Sequence, residues 1–198
     1  MAKKLFNYDV VDQVHLSENI IDGTSTGIID PNSSKYNYYN IYKQMIACRW
    51  VPEEVDVTQD AIDFPTLLPA EQRMYKLVIS GLIFMDSVQT NNTADNVNGW
   101  ITEPTANACI TLQAAEEALH SDSYYLMTDT VFEDSEAIYN MWRTDEVLKE
   151  RNTYIGNIYE TYGVLANESD EDIRYKSELE WTLALNNISL MSPNYNEG

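Results

Sequence analysis

Apolar residues recur at steps of three and four along most of this chain, and that spacing predicts helices. A first helix is expected from near Ser34 through YNYYNIYKQMIACRW, with Pro52 as its stop and Thr58 as the cap of a short following turn. A second begins after Pro69 and runs through EQRMYKLVISGLIFMDSVQ into the nineties. A third opens around Thr102-Glu103-Pro104, where proline is tolerated in a first turn, and continues to about Thr130. A fourth is expected from Asp134 to Tyr162, closed by Gly163, and a fifth from Ser169, whose SDED start suits both a cap and the helix dipole. Strand signals are few, so the expected architecture is an all-α bundle. Residues 1–34 lack sustained periodicity and predict an extended or hairpin-like arm; residues 35–190 form the helical domain, and 191–198 a divergent end.

Within two of these helices the apolar seam is interrupted by polar residues. Stepping along the third helix through 106, 110, 113, 117, 120 and 124 gives Ala, Ile, Gln, Glu, His and Tyr. The same stepping along the second, through 75, 79, 82, 86 and 89, gives Tyr, Ile, Leu, Asp and Gln. A buried carboxylate without a partner costs several kcal/mol. A divalent metal compensates that cost. Glu117 and His120 form a Glu-x-x-His pair, the i, i+3 spacing by which bundle helices present ligands to a carboxylate-bridged di-metal centre, and Asp86 would add a third ligand. Hard oxygens with one imidazole favour iron or manganese over a structural zinc. Tyr124 follows one turn after His120, within reach of oxidation by such a centre. Bland alternatives stand beside this one: Glu116 paired with His120 at i+4, Glu117 facing elsewhere, and Tyr124 as one core tyrosine among fourteen.

Composition narrows the class. The 198 residues, 44% hydrophobic and 11% aromatic, suffice for one domain with a core. With 32 acidic against 12 basic residues the net charge is -20, a field that repels phosphate backbones and anionic membranes, so no nucleic-acid ligand is expected. Cys48 and Cys109 are isolated on apolar patterns and read as small buried thiols, reduced as in the cytoplasm. The N-terminus MAKKLFNYDVVDQ lacks the apolar run of a signal peptide, and no stretch suggests a membrane span; a soluble cytoplasmic protein is expected.

Three stretches, WVPEEVDV at 50–57, MDSVQ at 85–89 and EEALHSDSY at 116–124, together with the spacing between them, resemble the radical-generating small subunit of class I ribonucleotide reductase over roughly residues 36–190. The resemblance implies a ferritin-like helical fold and a di-iron centre, with manganese as the other metal, that generates a tyrosyl radical. It also implies a small-subunit dimer and a large catalytic subunit that receives the radical to reduce ribonucleotides. Carried over residue by residue, Asp86, Glu117 and His120 match ligands of the first metal, Tyr124 matches the radical tyrosine, and Trp50 matches the tryptophan through which the radical leaves.

The departure from the family pattern lies downstream. A further Glu and a second Glu-x-x-His are absent, so only half of the ligand set is present. The other histidine, His15, has Asp12 rather than a Glu three residues before it. The fifth helical pattern, LEWTLALNNISL, gives way to MSPNYNEG just before the family's next ligand is due. A C-terminal small-subunit fragment completing the bundle in trans, or splicing across an intron, accounts for this. A non-enzymatic ferritin-like fragment that binds metal or protein is the alternative from another class.

Overall fold

The computed structural model describes residues 5–9, 20–21, 25–32 and 37–165. Its helices are α1 (Tyr38–Ala47), α2 (Thr58–Asp63), α3 (Pro69–Asn91), α4 (Asn98–Trp100), α5 (Pro104–Val131), α6 (Ser135–Thr144) and α7 (Glu146–Leu165). Two 3₁₀ turns, Pro52–Glu54 and Phe64–Thr66, flank α2, and a π-helical segment, Asn92–Val97, continues α3. Among the described residues there is no β-strand, only an isolated bridge between Ile21 and Ile101. No helix among them is long and apolar enough to cross a membrane. The expected fifth helix, the 191–198 end and His15 lie outside the described residues.

Local chemistry explains where the helices begin. The Glu71 carboxylate accepts the Leu68 N–H at 2.8 Å and Pro69 occupies the first position of α3, where no N–H is needed. At α5 the N-cap is Glu103, whose buried carboxylate accepts the Ala106 N–H and the Thr105 hydroxyl, at 2.7 Å from Oε2, so that its charge is met by donors. Asp134 caps α6 through the Ala137 N–H at 2.9 Å.

Elsewhere the expected elements differ. The single helix from 134 to 162 is two: the Asp145 N–H donates to Met141 O at the end of α6, while its carboxylate accepts the Leu148 N–H and so caps α7. Thr58 is the first residue of α2 rather than its cap; the Asp56 carboxylate takes the Thr58 N–H at 2.9 Å instead. The first helix ends at Ala47, three residues short of Trp50, and leaves Cys48 exposed, whereas Cys109 is half-buried and donates to Tyr38 O at 3.3 Å. Both cysteines are free.

Ile79, Ile83, Phe132 and Ile138 form the core where α3, α5 and α6 converge, with Phe64, Tyr124, Met127, Val131 and Tyr139 packed against it. Phe64 meets Phe132 edge to face at 4.8 Å between ring centroids. Ile138, 2% exposed, gains about 1.5–3 kcal/mol from burial of its side chain. Small residues in mid-α3 let the neighbouring helices close in. Ser80 Oγ accepts the Trp142 N–H of α6 at 2.9 Å, and a Cβ on Gly81 would stand 2.8 Å from the Arg151 guanidinium of α7.

The N-terminal segment is non-helical where it is described. The Asn7 N–H donates to Thr26 O at 3.1 Å, and Ile20 O accepts the Thr102 N–H at 2.8 Å, which ties this segment to the start of α5.

Candidate metal centre

Helices α3 and α5 run antiparallel, and their contacts set the register. Ile79 and Ile83 share a core with Tyr124, Met127 and Val131 of α5, whereas Asp86 and Ser87, further along α3, meet His120 and Ser121. A polar face therefore continues directly from the apolar one. Asp86, Glu117 and His120 each offer a ligand atom within 4.8 Å of the others.

His120 Nδ1 stands 3.2 Å from Glu117 Oε2 and 3.6 Å from Asp86 Oδ2. This geometry pairs the imidazole with Glu117, one helical turn away, rather than with Glu116. Both carboxylate side chains are 16% exposed, while the imidazole is 40% exposed. Burial first, and then the Asp86 charge, push the Glu117 carboxyl above its usual value, with the His120 contact opposing them. Two acidic groups in a partly dry cleft repel each other. A divalent cation would relieve that repulsion, and the donor set of two carboxylates and one imidazole suits a hard cation such as iron or manganese.

Tyr124 lies at the junction of the two faces. Its ring packs against the apolar core, near enough to Asp86 for that carboxylate to act on the phenol. Burial first, then the neighbouring Asp86 carboxylate and the Glu117 charge, hold the phenol protonated far above its ordinary range. Trp50 approaches from the other side. Its ring stacks on the His120 imidazole with centroids 6.3 Å apart and planes inclined by 23°. The residue follows α1 and precedes the turn at Pro52, which is buried in a segment that packs against α5. All five residues singled out from the sequence thus converge on one end of the core, though they come from three separate segments.

Other positions on the expected inward face do not turn inward. Tyr75, Leu82 and Gln113 stand exposed, although the Tyr75 ring meets Phe64 edge to face at 6.4 Å between centroids. One contact of the polar face had no sequence signal: the Tyr159 hydroxyl of α7 donates to Gln89 Oε1 at 2.8 Å, across 70 positions of chain. Gln89 was visible as part of the seam, but nothing distinguished Tyr159 among the tyrosines.

Known proteins share this arrangement of helices. The family model described as the ribonucleotide reductase small chain matches residues 31–192. The chain is similar to the ribonucleoside-diphosphate reductase subunit beta of Treponema pallidum, 36% identical over 163 residues that make up 81% of this chain and 46% of that protein. It is also similar to the subunit of the same description in Halalkalibacterium halodurans, 33% identical over 149 residues, 74% of this chain and 43% of that protein. Among solved structures, the ribonucleotide reductase R2 subunit from Clostridium botulinum superposes with a TM-score of 0.75 at 30% identity, covering 84% of this chain and 56% of that one. The chain thus spans less than half the length of these curated relatives.

Proposed function

The chain belongs to the ribonucleotide reductase small-chain family, and from that premise we propose that it contributes half of a di-metal site and the radical tyrosine of a ribonucleoside-diphosphate reductase small subunit. Its fold is the all-α, ferritin-like helical fold of that family. The observation that carries the proposal is the convergence of Asp86, Glu117 and His120 within 4.8 Å of one another, beside the phenol of Tyr124 on which Asp86 acts.

In this reading Asp86, Glu117 and His120 hold one metal, iron or manganese, and ligands from further helices complete the pair. Those helices come from a C-terminal small-subunit polypeptide or from a spliced product. When bound, the centre supplies the oxidising equivalent for a neighbouring phenol. Tyr124 is the phenol in reach. Loss of an electron makes its hydroxyl strongly acidic, and the neighbouring Asp86 carboxylate is the proposed proton acceptor. The apolar core packed against one side of the partly buried ring shields it in part from water, which would otherwise quench a radical.

Trp50 then offers the way out. Its stacking on His120 links the ligand face to a half-exposed ring near the surface, from which the oxidising equivalent passes to a large catalytic subunit. That subunit and a second small subunit are the proposed partners, and deoxyribonucleotide synthesis is the proposed outcome.

Electron paramagnetic resonance after addition of ferrous iron and oxygen tests the proposal. The chain alone should give no stable tyrosyl signal, since three ligands cannot complete the two-metal chemistry. Joined with a polypeptide carrying the C-terminal helices, it should give one, and Tyr124→Phe should abolish it while retaining the metal. A signal of parental size from the Tyr124→Phe assembly would overturn the assignment.

A further inference from the structure

The face of α3 that carries Asp86 extends one turn further to Gln89, and α7 joins it there. Tyr159, 6% exposed, donates its hydroxyl hydrogen to Gln89 Oε1 at 2.8 Å. Its main-chain carbonyl accepts from Asn96 Nδ2 at 3.0 Å, and the same amide donates to Asn92 Oδ1 at 3.0 Å. The tyrosine is therefore held at both ends, by the π-helical segment through its backbone and by α3 through its hydroxyl.

The helix register indicates what this arrangement serves. Tyr124 packs against the core to which Ile83 belongs, and Asp86 meets His120, so continuing the antiparallel register one further turn sets Gln89 about level with Glu117. In keeping with that placement, the Glu117 charge adds to burial in raising the Tyr159 phenol. A side-chain amide has one acceptor oxygen and two N–H donors. Here the oxygen is engaged by Tyr159, which leaves the two N–H donors for other partners. Carboxylates that bind metals are themselves oriented by such donors.

We propose that Tyr159 and Gln89 are a positioning pair: the tyrosine hydroxyl fixes the orientation of the Gln89 amide so that a donor, not the carbonyl, faces Glu117 and sets that carboxylate for divalent metal. The inference rests on the reading of Asp86, Glu117 and His120 as ligands. Without the hydroxyl the amide is free to rotate and oppose its oxygen to the carboxylate.

Cobalt(II) titration of the full chain, followed by its visible absorption, is the test. Tyr159→Phe keeps the ring and its packing, and Gln89→Leu keeps most of the volume. Each should weaken cobalt binding about 10–100-fold and shift the absorption bands of the saturated site, with the double substitution no worse than either single one. Tyr139→Phe, which removes another hydroxyl from the core, should leave both affinity and spectrum at parental values. Parental affinity and spectrum in Tyr159→Phe, or losses that multiply in the double variant, would overturn the pairing while leaving the ligand assignment intact. Parental affinity in His120→Ala, or no cobalt bound by the parent chain, would overturn the ligand assignment itself and the pairing with it.

Discussion

One pair of helices, α3 and α5, presents two regions of opposite character. At one end Ile79 and Ile83 close with Phe132 and Ile138 into a core from which water is excluded. One turn away Asp86, Glu117 and His120 meet in a cleft that leaves the imidazole 40% exposed. The first region is a closed cluster within the described residues, its four buried side chains ringed by Phe64, Tyr124, Met127, Val131 and Tyr139. The second draws its charged groups from both helices, Asp86 from α3 and Glu117 and His120 from α5. Stability and chemistry thus occupy adjacent turns of the same helices, and they should respond separately to substitution.

The sharpest way to break the apolar side is Ile138→Ala. Removing most of a side chain that is 2% exposed leaves a cavity, and the folded state should lose about 2–5 kcal/mol in urea unfolding. Metal affinity should be retained under conditions where the variant stays folded. A metal loss in the folded variant as large as that of His120→Ala would merge the two regions into one.

A smaller effect is expected at the start of α6. Asp134→Ala removes the carboxylate that accepts the Ala137 N–H at 2.9 Å and should cost about 0.5–2 kcal/mol in the same unfolding measurement. Its distance from the cleft in sequence and fold predicts no change in metal binding. A stability unchanged within error would show that the cap is replaced by solvent.

These responses also indicate which features could be read from sequence. Helix starts set by their own first turn were legible: the openings at Asp134 and at Glu103-Pro104 are fixed by residues two or three positions away, whereas Thr58, expected as a cap, is the first residue of α2. The Glu-x-x-His spacing was legible for the same reason, since a helix fixes which side chains share a face. The break at Asp145 was harder, because Thr144-Asp145-Glu146 carries a cap signal inside an unbroken apolar period. The exposure of Cys48 depended on α1 ending at Ala47, which no glycine or proline at that point announces. Tyr159 was beyond reach for another reason: its partners Gln89 and Asn96 are set by how α7 docks on α3, not by spacing along either helix. The stacking of Trp50 on His120 is likewise a product of docking, and only the resemblance of WVPEEVDV to a known family pointed to that tryptophan.

The central claim is that Asp86, Glu117 and His120 are one half of a metal-binding interior. Metal analysis of this chain assembled with a polypeptide that carries the C-terminal helices tests it most directly. The account predicts about two metals per assembled unit, a marked loss with His120→Ala without melting of the helices, and no loss with His15→Ala, whose histidine lacks the ligand spacing. Full occupancy after His120→Ala, or equal losses from the two substitutions, would contradict it.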